Sequence, residues 1–444
     1  MGFRKMSVLS IGFILILSLV LAACSSNNKS ANTGTNSGTQ SPASSQTAAK
    51  NDGEKTTIRF STWYGPGDVE IWKNVISRFQ AENPNITVEF EPLEWGAYWQ
   101  KLQTQLASNS AADVIGMHVG IVYGYVEKNQ LAPLDDYLST NDRKDQLSES
   151  LLVEGQWPKD NPKQYALPWH VTGATLFVNM TAFKEAGIDY PENGWTIDEF
   201  KAAAQKLTTD KRFGFSVPTF SMAAGLAGAF GTEPTTADKL HSNYNSPEML
   251  NFKTWLHELI WKDKVAPNPK DLDKNIDPFV AGKVAMAING AWNFPVYRDI
   301  KDFEWDIAPM PSKDGKTKTY AGPDMLSITQ DSKNKDAAWK FMQFVIYNQQ
   351  AQELLRATGV PMLKEDLAND ALINEIAAQK PAHFKVFLEG VNNDGIGYAF
   401  TKKFFEISQL ELDADVKIME RPDADIKKEL ETLHEQVNKE FEKQ

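Results

Sequence analysis

Three features of the 444-residue chain predict an α/β fold in two lobes. Strand and helix patterns alternate from residue 57 onward, and the alternation resumes beyond an extended X-Pro segment at 165–169. About 390 residues follow a non-folding N-terminal stretch, which is more than one hydrophobic core accommodates.

The chain opens with Arg4 and Lys5, then an almost wholly apolar run over residues 11–23 that ends in the small residues Ala22-Ala23. This is the pattern of a secretory signal peptide. The run is shorter than the ~17 to 25 residues a spanning helix needs, so removal is expected rather than retention as an anchor. Cys24 is the sole cysteine and stands at the cut site in Leu21-Ala22-Ala23-Cys24. The segment resembles the lipobox of bacterial lipoproteins, which implies that Cys24 is acylated and becomes the new N-terminus. The alternative is an ordinary signal peptide with a buried thiol beside it. Residues 25–51 are Ser, Asn, Thr, Gly, Gln, Ala and Lys with little else. They cannot bury a core, and as a flexible coil they reach roughly 25 to 30 Å. Residues 24–55 therefore read as a lipidated cysteine and a disordered tether.

The chain has 58 acidic and 46 basic residues, a formal charge of −12. Loss of residues 1–23 removes two positive charges and no acids, so the mature protein carries −14. Such a field repels nucleic acid, and no basic block offsets it. A single cysteine committed to lipid leaves no disulfide and no thiolate metal site. No cofactor is expected.

Thr57 to Trp63 is a β-rich run closed by the turn Gly65-Pro66-Gly67. Val69, Trp72, Ile76 and Phe79 then share one helix face until Asn83-Pro84. A strand at 86–90, a helix around 98–106 and a third strand at 113–117 complete a parallel βαβαβ unit. Ligands of such sheets sit beyond the carboxyl ends of the strands, where Trp63, the Glu94-Trp95 loop and residues 117–120 lie. Farther on, Tyr165-Ala166-Leu167-Pro168-Trp169 leads into a strand at 174–179. Thr196 and Glu199 form a capping box for a helix over 197–207, and Ser246-Pro247 opens another. Ile426, Leu430, Leu433, Val437 and Phe441 mark a last helix.

The stretch 279–292 reads as a helix end, a glycine stop at Gly282, a buried strand and a turn, Asn289-Gly290-Ala291-Trp292, which carries an aromatic ring to a new helix start. This segment closely resembles the strand-turn motif of the extracellular solute-binding proteins of sugar-importing ABC transporters, the family that includes the maltose-binding proteins. Ala112-Asp113-Val114-Ile115, Tyr165-Ala166-Leu167-Pro168, and Tyr320 to Ile328 followed by Ala337-Ala338-Trp339-Lys340-Phe341 are similar to its third strand, first crossover and return crossover. The resemblance implies a two-lobed, type II periplasmic-binding-protein-like fold that closes as a hinge. One lobe would comprise residues 56–167 and 321–360, the other 168–320 and 361–444. It also implies that Trp292 stacks on a sugar ring. Two departures are present: Thr172 stands where maltodextrin binders carry an acid, and Gly120-Ile121 where they carry an aspartate and an arginine. A glycan other than maltose is therefore expected.

A pyranose presents an apolar C–H face and a rim of hydroxyls, so its site needs flat aromatics with a few planar polar groups. Trp63, Tyr64, Trp95, His118, Trp169, His170, Asn289, Trp292, Asp324 and the late loop residue Tyr398 are the candidates. Trp95 either stacks or covers a lobe edge, the two histidines either contact ligand or are structural, and Asp324 either binds or caps a turn before a strand at 325–328. Trp72, Trp255, Trp261 and Trp339 recur at helical spacing and are assigned to core. Three stacks at about 0.5 to 1.5 kcal/mol each would supply part of the ~8 kcal/mol of micromolar binding.

An enzyme is the competing class. No His-Glu-X-X-His, Gly-X-Ser-X-Gly or phosphate-binding Gly-rich loop occurs, and Asp135-Asp136 reads as a surface helix start rather than a hydrolytic pair. The expectation is a monomeric, lipid-tethered binding protein with no metal. It would pass a carbohydrate to an ABC permease and meet the membrane only through its anchor. The alternatives are a non-sugar solute, or a glycan sensor or adhesin without transport.

Overall fold

The computed structural model describes residues 55–443 except 66, 192–193, 219, 237–240, 274–275, 313–317, 380, 394 and 397–402. Cys24, the leader, the tether and Tyr398 lie outside the described residues.

Eleven strands are described: β1 Thr56–Trp63, β2 Ile86–Leu93, β3 Val114–His118, β4 Gln156–Trp157, β5 Lys163–Gln164, β6 Leu167–Asn179, β7 Phe213–Ser216, β8 Val284–Gly290, β9 Trp305–Ala308, β10 Thr319–Ile328 and β11 Gly395–Ile396. β4 and β5 form a small hairpin. The rest join in the order β2-β1-β3-β10-β6-β8-β7, with β9 added to β6 and β11 to β10. On one flank β1, β2 and β3 run parallel, as the βαβαβ pattern requires. On the other, β8 and β9 pair antiparallel to the second half of β6. The sheet is therefore mixed rather than parallel throughout.

The two flanks are joined by β6 and β10, which pair antiparallel with each other. The sequence reads as two strands flanking Pro168, but β6 is one strand of 13 residues, all of them buried. Strands pair along its edges and both its faces are covered, so apolar residues and the polar His170, Thr172, Thr175 and Asn179 are buried alike. β10 includes Asp324 in its interior, so Asp324 caps no turn.

The helix Asp68–Glu82 buries Trp72, Val75, Ile76 and Phe79 against β1. The ring of Phe60 lies 4.8 Å from Trp72 and 5.2 Å from Phe341 of the helix Lys335–Tyr347, which packs the chain back onto the first flank after β10. Fully burying each such side chain contributes about 1.5 to 3 kcal/mol. On the second flank the helix Ile197–Leu207 starts at the expected capping box, with Thr196 Oγ1 accepting from the Glu199 amide and Glu199 accepting from the Thr196 amide. The helices Pro247–Trp261, Phe404–Met419 and Ile426–Phe441 cover this side. Lys253 and Asp415, both buried, form an ion pair that ties the first two together. Trp72 and Trp339 are core residues, and Trp255 and Trp261 pack partly buried against the second core.

One expected element differs. Residues 278–282 form turns and not a helix end. Asp277 Oδ1 accepts from the amides of Phe279 and Val280 and holds those turns.

The crossover strands approach closely at Gly173, where a Cβ would lie 2.5 Å from the Tyr320 carbonyl oxygen. Backbone cannot yield as a side-chain tip can. Gly173→Ala is therefore expected to destabilise the protein by about 1 to 3 kcal/mol, read as a lower urea unfolding midpoint. An unchanged midpoint would mean that the two strands separate without cost.

Candidate functional site

The floor of the candidate site follows from strand register. Asp324 of β10 lies opposite His118 of β3 on one side and His170 of β6 on the other. Residues directly opposite in a sheet share a face, so the three side chains form a row across the crossover. The next positions, Val119, Val171 and Pro323, face the other way and line a separate cavity of about 290 Å³.

The row depends on a bulge. Met325 pairs with Pro168 and Asp324 with His170, which leaves Trp169 as an extra residue. A bulge re-aims the side chains around it. Trp169 is 5% exposed and packs edge-on against Trp72 at 4.9 Å, so it is a core residue and not a ligand platform. His170 takes the floor position beside Asp324, its ring stacked on Trp169 at 3.8 Å.

Aromatic walls rise from the first flank. Trp63 ends β1 half-buried, with Trp95 at 5.1 Å, Trp99 at 5.3 Å and Tyr98 at 5.6 Å. Trp95 opens the helix Trp95–Ala107 rather than sitting in a loop, is 39% exposed, and lies 5.4 Å from His118. The Tyr98 hydroxyl donates to the Gly116 carbonyl at 2.6 Å and fixes this cluster to β3. Tyr64 is half-buried at the end of β1, where its amide donates to the Leu93 carbonyl.

From the second flank comes Trp292, in the short 3₁₀ turn Ala291–Asn293 that follows β8. Its indole lies over Gly290, where a Cβ would be 2.2 Å from ring atoms, so only glycine admits this pose. The ring is half-buried and makes no ring contact with another aromatic among the described residues. A Cβ on Gly65, in the turn after β1, would lie 3.8 Å from Trp292 Cβ, so the two flanks meet here.

Asn289 is half-buried and its amide is engaged within the protein. Its Nδ2 donates to Asp277 Oδ2 at 3.3 Å and to the Tyr297 hydroxyl at 3.1 Å, while its Oδ1 accepts from the Gly290 amide at 2.8 Å. The Tyr297 hydroxyl donates in turn to Asp277. Asn289 is a positioning residue for the Gly290 turn that carries Trp292.

Four residues at the site were not among the sequence candidates. Asp68 begins the first helix, with Oδ2 accepting from the Gly65 amide at 2.7 Å and Oδ1 buried without a partner. The Tyr320 hydroxyl lies 3.4 Å from His118 Nε2. Phe404 and Phe405 open the helix Phe404–Met419 and lie 5.3 Å from His118 and 5.2 Å from Trp99. Acidic residues at helix starts and an aromatic two positions before Gly322 were the available signals.

The electrostatics are set by burial. Burial pushes the Asp324 carboxyl up to about 8, with the charge of Asp68 adding to the effect, and pushes Asp68 up to about 6. It pushes His118 down to about 4 and His170 down to about 3. His170 Nδ1 and Asp324 Oδ2 are 3.7 Å apart, but each group is driven toward its neutral form, so the contact is not an ion pair at neutral pH. Among the described residues no group of three or more His, Cys, Asp or Glu side chains could hold a metal ion. Asp135 and Asp136 are exposed at the start of the helix Asp135–Ser139. Thr172 is buried, with its hydroxyl 3.4 Å from the Thr358 carbonyl, and Ile121 packs in the first-flank core.

Flat rings thus stand around a buried polar floor at the point where two flanks touch. The profile of a family described as bacterial extracellular solute-binding protein matches residues 65–352. An ABC substrate-binding protein of Listeria monocytogenes, solved in complex with cycloalternan, has a similar fold. Its TM-score is 0.79 at 25% identity, covering 87% of this chain and 99% of that one. The diacetylchitobiose binding protein of Streptomyces coelicolor is 25% identical over 350 residues, 74% of this chain and 78% of its own length. The maltotriose-binding protein of Pyrococcus abyssi is 24% identical over 327 residues, 70% and 67% of the two chains. With the profile spanning well over half of its length and strands β6 and β10 joining two α/β flanks, the chain belongs to the bacterial extracellular solute-binding protein family.

Proposed function

We propose that this protein captures a sugar or oligosaccharide between two lobes and delivers it to an ABC permease, without making or breaking a bond. The observation that carries the reading is the meeting of Trp292 with the Gly65 turn, together with Trp63 and Trp95 beside His118 of the Asp324 row. A pyranose could lay its apolar face on one indole and direct hydroxyls to the row. Relatives named for diacetylchitobiose and maltotriose support a carbohydrate. The lobes are proposed as residues 56–167 with 321–360, and 168–320 with 361–444. Pro168 and Gly322 would then lie inside the crossover strands.

Closure follows from differential affinity: a ligand that touches both flanks favours the arrangement in which they meet. The cavity behind the row gives the crossover strands room to flex. The leader and Cys24 support a lipid anchor on the extracytoplasmic face with residues 25–55 as tether, and a monomer is proposed. Trp63, Tyr64, Trp95, His118, His170, Trp292 and Asp324 are the proposed contacts. Tyr398 is retained as a candidate from its sequence position.

Trp292→Ala removes a half-buried ring that lies over Gly290 of its own turn. It is expected to weaken sugar binding more than tenfold by calorimetry while leaving the melting temperature nearly unchanged. A large loss of stability with intact affinity would assign the ring to the fold instead.

A pH effect also follows. A carboxyl whose folded value is near 8 against 3.8 in the unfolded chain gives stability that is fully present below about pH 4 and is lost as pH rises through 8. Asp68, Glu154 and Glu411 are also pushed up, to about 6, 7 and 7, and add to the slope. Comparison with Asp324→Asn isolates Asp324, because the amide resembles the neutral carboxyl. The wild type should lose stability relative to this variant between pH 6 and 8, and parallel curves would show that Asp324 stays ionised.

A further inference from the structure

The floor of the site holds acceptors that lack donors. The Asp324 carboxyl has His170 Nδ1 at 3.7 Å, too far for a hydrogen bond. Asp68 Oδ1 and His170 Nδ1 are both buried with no hydrogen-bond partner, and His170 is only 4% exposed. In the tautomer with its proton on Nε2, His170 presents Nδ1 as an acceptor. No lysine or arginine among the described residues forms an ion pair with Asp68 or Asp324. The influences acting on Asp324 are burial and the like charge of Asp68, with no cation among them. Two carboxyls and a buried ring nitrogen thus belong to this floor with no cation of the described residues paired to either carboxyl, and two of their atoms, Asp68 Oδ1 and His170 Nδ1, are buried without a partner.

We infer that the captured saccharide carries a protonated amine, which seats against Asp324, Asp68 and His170. The inference rests on the capture reading above and names the chemistry of its ligand. An ammonium has N–H donors and a positive charge, so it offers carboxylate oxygens both a hydrogen bond and the opposite sign. Hydroxyls also donate, but they bring no charge to offset two neighbouring carboxyls once these ionise. A uronic or phosphorylated sugar brings an anion to a floor that offers no cation, and is rejected. The surrounding indoles of Trp63, Trp95 and Trp292 reinforce the choice, because their faces attract cations. As the amine seats, Asp324 gives up its proton to solvent and binds as a carboxylate. The charge balance is one ligand cation gained and one proton released.

The test is calorimetric titration of the full chain, detergent-solubilised, at pH 7 with gluco-, galacto- and manno-configured di- and trisaccharides. Each is used as the hydroxyl form and as its 2-amino-2-deoxy counterpart. At least one amino form is expected to bind tenfold or more tightly than its hydroxyl partner, with an enthalpy that changes with the ionisation heat of the buffer as a proton is released. Asp324→Asn and Asp68→Asn, near-isosteric changes, should each move the amino-to-hydroxyl affinity ratio toward one. Equal or weaker binding of every amino form would overturn the inference and leave sugar capture standing, as would a ratio unmoved in both variants. Binding of no saccharide in either form would overturn sugar capture along with it.

Discussion

The antiparallel pairing of β6 with β10 is the constraint on which the rest of the structure depends. Each strand passes from one α/β flank to the other, and each is hydrogen-bonded to a different neighbour at its two ends. The first flank hangs on β10 through β3, and the second hangs on β6 through β8. Because side chains alternate between faces, this one pairing also decides which residues look into the site and which look away from it. His118, Asp324 and His170 come from three separate parts of the chain and become neighbours only through it. The opposite face of the same strands carries Val119, Val171 and Pro323 and lines a separate cavity shared with Ser148, Ser150 and Glu154.

The polar side has an energetic character of its own. Burying a carboxyl without a partner costs free energy, and a protein holds down that cost by keeping the group protonated. Asp324 is arranged in this way, and Asp68 in part, with one oxygen bonded to the Gly65 amide and the other unpaired, while the large aromatic cores on either side supply the stability that tolerates them. Trp292 shows the same division of labour. Its own turn holds it, and that turn is held by Asn289, Asp277 and Tyr297, so the ring itself contributes little packing and remains available.

Local signals in the sequence were sufficient for much of this. The helix Asp68–Glu82 shows its apolar face at spacings of three and four, the capping box at Thr196 and Glu199 forms as written, and Ser246-Pro247 opens its helix. These features depend on residues within one turn of each other. The site was legible where a residue ends an element, as Trp63 and Trp292 do. It was not legible where a distant strand decides the outcome. Trp169 reads as an outward aromatic after Pro168, and only the bulge against β10 turns it into the core. Asn289 reads as a free amide at a strand end, but Asp277, 12 residues earlier, claims it. Asp68 reads as a helix-start acid, and nothing nearby in sequence says that one of its oxygens is left unpaired.

The bulge at Trp169 also limits how this protein can change over time. Inserting or deleting a single residue between Leu167 and His170 would exchange the two faces along the rest of β6, moving the polar positions of the floor to the opposite face and apolar ones onto the floor. Ligand preference can therefore drift through replacement of side chains along the crossover, while the length of that segment stays frozen.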